Sequence, residues 1–545
     1  MSASGRCAAL ILAAASLADG AAVRAAQPVG HADHALGRVD FPVSCSQPAQ
    51  VQFNHAVALL HHMTYPQARA AFEAVAATDP HCAMAQWGIA ASLFYPLWPT
   101  RPGPADLARG WAAVQRAEAL DAPTERERLF ISTAEAFFRD PASADYWLRI
   151  RRWAEASRRL YESAPQDPEA GAFYALALLA TAPADKVSRA NADRAAAILL
   201  RIYERNPDHP GAMHYLVHAN DMPGREHELL DVTRRYARLA PRNPHALHMP
   251  THIFTRLGDW DGVIGGNLRA ADAALEHPAG EHGEFVWDEF PHAIEYLVYA
   301  YLQQGADDEA ARQWQRLSAT ARLEPTFKTA FHLSSIPARV ALERHAWSEA
   351  AALVPRVPAT LDWERYPWPE AITQFARGLG AAHLRQFDEA RRAGERLAQL
   401  ERTTRESGEE LFTQGIHVLV LELNAWTAYA AGQPASGIAL MREAAELEAS
   451  TPKHAVTPGP TLPAHELLGD LYLDMGRPSD ALSAYRRAME LYPRRFNSLL
   501  GAARAARALG DVTQARDHYA QLLEVAAHGT RQGALEEARE FVAQR

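Results

Sequence analysis

Apolar and polar positions along this chain follow a helical period almost throughout, in runs of roughly ten to twenty residues broken by Gly-, Pro- or Asn-containing turns. No stretch has the alternation expected of a strand. The most regular stretch runs from Leu462 to Pro493. Leu462, Leu468 and Tyr472 stripe a first helix, Ala481, Tyr485 and Ala488 stripe a second, and Gly469 stands where the two helices approach closest. A second copy begins at Phe496 and carries Gly510, Ala515 and Tyr519 in matching places, while Ala68, Phe72 and Pro80 mark a copy near the N-terminus. Fragments recur at Leu257-Gly258-Asp259-Trp260, Gln304-Gly305 with Ala310, Ala350, Ala390 and Ala431-Gly432. Between Arg101 and Asn206 the spacing decays, and helices are expected there from amphipathicity alone. Pro99–Pro104, Glu276–Pro291 and Pro355–Pro369 carry Pro, Gly and charge and are expected to be long loops.

Counted from Leu462 as slot 1, the small residues fall in slots 8, 20 and 27 and the large ones in slots 11 and 24. This resembles the packing code of the tetratricopeptide repeat superfamily. The resemblance implies an all-α superhelical solenoid in a single elongated array, because no hairpin of this kind buries its apolar face alone. The array is expected over residues 49–530, with a C-terminal helix or tail at 531–545. A length of 545 residues then measures stacked hairpins in place of separate domains.

Composition adds compartment and removes some functions. The net charge of −10 is spread along the chain, with no basic footprint for nucleic acid. Arg6 precedes a mostly apolar stretch, Cys7–Val23, interrupted by Asp19 and Gly20 and too short to anchor in a bilayer. It is read as a cleaved signal peptide over residues 1–26, so the protein is expected to be periplasmic or secreted. The remaining two cysteines, Cys45 and Cys82, are expected to pair as a disulfide that tethers an N-terminal extension, residues 27–48; the alternative is two buried thiols. The only lysines are Lys186, Lys328 and Lys453, which reads as codon bias.

The candidate chemistry lies in the slots that, by the family resemblance, face the concave groove: 2, 5, 9 and 12. One unit starting at Pro210 places His214, His218 and Asp221 in slots 5, 9 and 12. The next, starting at Pro244, places His245, His248 and His252 in slots 2, 5 and 9, so the two histidine pairs are each offset by 34 residues. Histidines at i, i+4 can chelate one ion from a single helix. Tyr215 and Met249 stand where a zincin would carry its glutamate, which disfavours a protease of that class. What remains is a four-histidine cluster, His214, His218, His248 and His252, with Asp221 and His245 nearby, suited to zinc, copper, nickel or iron. Pro250 interrupts the second pair, either kinking its helix or starting a new one.

Downstream units offer further groove residues: His292, Glu295 and Tyr299, then Glu422 and Trp426, then Glu466 and Asp470. If the superhelix winds far enough, these carboxylates face the histidines, where they could complete a metal site or activate water. Taken alone they fit equally an acidic groove for a basic peptide. Lys453 and His454 precede a Pro/Gly loop that is read as a connector, with a lid over the groove as the alternative. His55, His61 and His62 fall off the groove register, and Trp87 and Trp98 are read as core or as a pocket wall. No serine nucleophile elbow, phosphate loop or dinucleotide fingerprint is present.

The block from His214 to Asp221, with His245 to Trp260 and Lys453 to Asp470, resembles a group of exported bacterial tetratricopeptide proteins, which brings fold and compartment but no activity. Two functions follow as expectations. The first is a groove that binds a transition metal or small ligand, with a metalloenzyme as its extension. The second is a non-catalytic scaffold that binds an extended peptide or protein partner.

Overall fold

The computed structural model describes residues 36–140, 145–181, 186–280 and 282–544, without the side chains of 186–188. The expected signal peptide and the first part of the extension lie outside the described residues. From Gln47–His61 to Gln532–Ala543 the chain is a succession of helices, and neighbours in sequence pack as antiparallel hairpins. The amphipathic stretch between Arg101 and Asn206 forms Pro104–Ala119, Glu125–Phe138, Tyr146–Ser163, Pro168–Ala180 and Lys186–Arg205, as expected. The Glu276–Pro291 loop holds the exception to helix: Pro278–Ala279 pairs antiparallel with Phe285–Val286. Two residues a side are too few to leave an alternating pattern in the sequence.

The small-against-large code is literal packing. A Cβ built on Gly469 would come within 2.7 Å of the Tyr485 ring, and one built on Gly501 in the following hairpin would overlap the same ring from its other side. Tyr485 therefore fills the space between consecutive hairpins, its hydroxyl donating to Asp470 at 2.5 Å. Gly88 meets Phe72 and Gly110 meets Phe138 in the same way. The N-terminal extension is tied down twice. Cys45 and Cys82 form a disulfide pair with Cα atoms 5.0 Å apart, and Arg38 N–H donates to Asp208 C=O at 2.8 Å.

The array winds until its last repeats meet its middle. Trp260 Nε1 donates to Arg494 C=O at 2.9 Å, Thr530 N–H to Gly305 C=O at 2.7 Å, and Arg531 pairs with Asp307 at 2.9 Å. Fully buried Arg495 lies at the centre of this contact, pairing with Glu343 at 2.8 Å and Glu466 at 2.9 Å while donating to Tyr299 Oη at 3.0 Å. On the opposite side Arg101 pairs with Glu409 at 3.1 Å. The connector Thr451–Pro463 crosses the enclosed space. It is anchored by Arg339, which donates to the carbonyls of Pro460 and Gly459 at 2.6 Å each and to Thr457 Oγ1 at 2.9 Å.

Because Tyr485 is held on both sides, Gly501→Ala is expected to cost about 1–3 kcal/mol of stability. Gly533→Ala, where an added Cβ meets nothing within 4 Å, should leave the melting temperature at or slightly above wild type. Parallel thermal melts of the two variants check this.

Candidate metal centre

Four groove helices bring six imidazoles together. His214 and His218 lie one turn apart on Pro210–Asn220, His245 and His248 on Pro244–His248, His252 on Pro250–Leu257 and His292 on Glu289–Gln303. Asn243 and His209 cap the helices that follow them, each accepting an N–H three residues on, which fixes where each histidine turn begins. Pro250 splits the second groove helix in two. Met249 keeps helical angles (φ −53°, ψ −41°) at the junction, so His248 and His252 stay on one side of it.

The six rings form two triads in place of one four-histidine cluster. His214, His218 and His245 are one; His248, His252 and His292 are the other; within each, ligand-capable atoms all lie within 4.8 Å of one another. His218 Nε2 and His245 Nε2 are each 3.1 Å from His214 Nε2, and His248 Nε2 is 2.9 Å from His252 Nε2. The triads adjoin, with ring centroids 6.2 Å apart for His218 and His252 and 6.3 Å for His245 and His248. One rule builds both: slots 5 and 9 of a repeat with slot 2 of the next. Asp221 faces the outer side of its triad, accepting from His252 Nδ1 at 2.8 Å, so it orients a ring in place of joining the nitrogen cluster.

The outer nitrogens of five of the six rings have a partner. His214 Nδ1 donates to His61 C=O at 2.6 Å, His245 Nδ1 to Glu289 at 3.1 Å, and His248 Nδ1 to Asn267 Oδ1 at 2.7 Å. The Asn267 amide nitrogen is committed to Thr251 Oγ1 at 3.0 Å and Val263 C=O at 2.9 Å, so its oxygen is the atom that faces His248. His292 Nδ1 lies 3.1 Å from His332 Nε2, and His332 passes its own Nδ1–H to Glu295. With Nδ1 carrying the proton, Nε2 of His214, His248 and His252 is a bare lone pair.

Burial, and then the neighbouring imidazoles, push His214, His218, His248 and His292 well below the ordinary histidine value; burial also lowers His252, against the pull of Asp221. Those five rings are therefore neutral near pH 7, and no shared proton relieves the His248–His252 contact. A third group, His61, Glu169 and His209, serves as the internal contrast. There His61 Nε2 and His209 Nε2 donate to Glu169 at 2.7 and 3.2 Å, Tyr215 Oη donates to His61 Nδ1 at 3.1 Å, and His209 Nδ1 accepts from Ala212 N–H at 3.1 Å. Every nitrogen of that group has a partner with one consistent set of protons, so it is a hydrogen-bond network tying helices together.

The outer carboxylates are held by lysines. Lys328 pairs with Asp288 at 2.9 Å and with Glu289, its ammonium 3.9 Å above the Trp98 ring. Lys453 reaches Asp221 at 3.0 Å beside Arg256 at 2.8 Å. Burial opposes the charge on both acids, yet Lys328 and His245 at Glu289, and Lys453, Arg256 and His252 at Asp221, hold the carboxyls well below their usual range. The connector thus delivers Lys453 to the centre, while His454 packs against Trp368 and Phe412. Tyr296 covers the second triad, its ring 4.6 Å from His248 and its hydroxyl donating to Thr457 C=O at 3.2 Å. His218 and Asp221 open on a chamber of about 500 Å³ walled by Trp98, Tyr146, Trp147 and Lys453.

Apart from His292, the downstream groove residues go elsewhere. Glu295 is buried between His332, Ser335 and Arg339, the last at 3.0 Å, and reaches the triad through His332 alone. Tyr299 and Glu466 belong to the Arg495 closure, Asp470 accepts from Tyr485, and Trp426 stacks on His383 at 4.2 Å. Glu422 lies beside a separate small cavity. Sequence reasoning missed Asn267, Glu289, Tyr296, Lys328 and His332. Of these Lys328 carried a signal, since two of the chain's three lysines hold the centre's outer carboxylates.

The tetratricopeptide repeat family profile matches residues 467–530, and no curated protein matches the chain significantly. Similar solved structures include the APC/C hetero-tetramer Cut9-Hcn1, with 13% identity over 90% of this chain and 90% of that one and a TM-score of 0.31. Another is the human IFIT1 dimer with PPP-AAAA, with 14% identity over 78% of this chain and 87% of that one and a TM-score of 0.36. The chain is an all-α tetratricopeptide-type repeat protein, an assignment that rests on its hairpin packing and the matched segment. Such a fold is consistent with a scaffold for protein interactions. Among the described residues no helix is long and apolar enough to cross a membrane.

Two buried groups give opposite pH dependences. Burial holds His454 down at about 3 against an ordinary 6.5, so its contribution is intact above pH 6.5 and is lost as pH falls toward 3, where the unfolded chain takes up the proton first. Burial raises Glu448 to about 8 against 4.5, so its contribution is intact below pH 4.5 and is lost as pH rises through 8. Glu448→Gln is accordingly expected to raise the melting temperature at pH 8 relative to wild type and to leave it nearly unchanged at pH 4. His454→Gln should flatten the loss between pH 6.5 and 4.

Proposed function

We propose that this protein is an exported tetratricopeptide-type solenoid that holds two transition-metal ions, one in each imidazole triad. The observation that carries the reading is the convergence of Nε2 atoms inside each triad: His245 lies 3.1 Å from His214, and His248 and His252, both without a proton there, face each other at 2.9 Å. As a bare contact the His248–His252 pair is repulsive. A cation between the two nitrogens makes it attractive, and these separations suit one ion with metal–nitrogen bonds of about 2.0–2.1 Å. The Nδ1 acceptors support the same reading, since metal-binding histidines characteristically donate their other N–H to a carbonyl, amide or carboxylate.

The donor set narrows the metal. Neutral imidazoles without thiolate or carboxylate suit copper, zinc, nickel or iron and disfavour magnesium, calcium and manganese. Three protein ligands per ion leave a further position open, the condition under which such an ion polarises a bound oxygen. His218 borders the 500 Å³ chamber, so the first triad is the one a small molecule would reach. This is the basis for extending the proposal to a metalloenzyme, with Lys453 and Asp221 at the chamber wall. Export is supported by the N-terminal apolar stretch and the Cys45–Cys82 pair.

Protein or peptide partners are supported by the repeat fold itself. An extended peptide in the groove is a weaker reading, because Glu466, Tyr299 and Glu295 are buried and engaged by Arg495 or Arg339.

Elemental analysis of protein purified without a histidine tag is expected to give two ions per chain. His214→Ala and His248→Ala should each give about one, and the double variant none. No stoichiometric metal in folded wild type would sink the reading. Asn267→Leu, which leaves His248 Nδ1 without its acceptor, should weaken retention of one ion by about 10–100-fold in a chelator competition.

A further inference from the structure

A second site lies away from the triads. Glu422 is fully buried on Glu410–Ala430, and neither carboxyl oxygen has a hydrogen-bond partner. A carboxyl in that state is costly, and native proteins keep such groups where something else meets them. Glu422 lines a cavity of about 100 Å³ whose apolar side is formed chiefly by Phe331, Trp368, Ile372, Leu419 and Leu462. Glu448 shares the polar end, accepting from Ala464 N–H at 3.2 Å. The wall also includes two cations, but Arg339 is committed to Glu295 and the connector carbonyls, and Lys453 to Asp221 and Thr457 C=O. Neither makes a hydrogen bond to Glu422.

We propose that this cavity binds the amino end of a small aliphatic amine, with the ammonium on Glu422 and the alkyl chain against Trp368 and Phe331. The charge balance is internal: a neutral amine that enters takes the proton of the Glu422 carboxyl, leaving an ammonium–carboxylate pair. Burial and the nearby Glu448 raise the Glu422 carboxyl well above its ordinary value, so the acid has that proton to give. The amine supplies the donors that both oxygens lack, and the aromatic faces take its alkyl chain out of water. Size restricts the ligand, since a cavity of about 150 Å³ accommodates benzene and one of 100 Å³ accommodates roughly four or five heavy atoms. The cavity shares Leu411, Glu448, Pro452, Lys453 and Tyr492 with the larger chamber, so a longer amine could extend from Glu422 toward His218. The site does not depend on metal in the triads.

Calorimetric titration of the full chain with n-butylamine, 1-butanol and butyrate tests the assignment, with metal content measured on the same samples. Butylamine is expected to bind at least tenfold more tightly than 1-butanol, and butyrate not to bind. Glu422→Gln should remove that preference at unchanged metal content. Equal binding of amine and alcohol, or no binding of either because the cavity holds water only, overturns the proposal. So does a folded Glu422→Gln variant with undiminished preference for the amine. If Glu422→Gln does not fold, narrowing the cavity with Gly415→Val must weaken butylamine more than methylamine; equal effects overturn the assignment.

Discussion

A buried imidazole has two nitrogens to satisfy, and in this protein the outer one is satisfied first. The His61 carbonyl, Glu289, Asn267, Asp221 and His332 each take the Nδ1 proton of one ring, and each is held by a different helix or by the turn at a helix end. That choice fixes the tautomer and turns the second nitrogen inward. The packing of at least five hairpins is thereby coupled to the centre, because displacing any of these acceptors leaves a buried N–H with nothing to face.

The same economy governs the charged groups. Arg495, Arg339, Lys328 and Lys453 are all buried, and each is paired with one or more buried carboxylates. Ions so placed add little net stability, but removing one partner strands the other, so they specify a single arrangement strongly. Arg339 illustrates the point. It joins Glu295, which orients His332 behind the second triad, to the carbonyls of the crossing connector, so the loop and the histidines are parts of one hydrogen-bonded body.

Much of this was legible in the sequence because repeats report themselves. Gly469 and Tyr485 announced the close approach they make, and the 34-residue offset of His214/His218 and His248/His252 announced a shared groove face. The division into triads was not legible, since it depends on the twist that carries slot 2 of one repeat beside slots 5 and 9 of the one before. His245 and His292 hence stood as groove residues, and Asp221 as a ligand, until the twist was known. Asn267 lies on the outer helix of its hairpin, where the groove register gives no reason to look. Glu466 and Asp470 carried the right spacing for a site, but winding brought Arg495 to the first, and the local hairpin gave Tyr485 to the second. The rarity of lysine reads as composition in the sequence, yet it marks two positions where a slender, point-like cation fits beside an acid.

Closure of the superhelix also bears on how such a chain can change over generations. An open solenoid tolerates duplication or loss of an internal repeat, because each hairpin meets only its neighbours. Here Trp260 must find Arg494, Gly305 must find Thr530, and Glu343 must find Arg495. Adding or deleting one hairpin between them would rotate the later repeats out of reach of the earlier ones, so the number of repeats in this stretch is locked by geometry, and variation is confined to loops and to the ends.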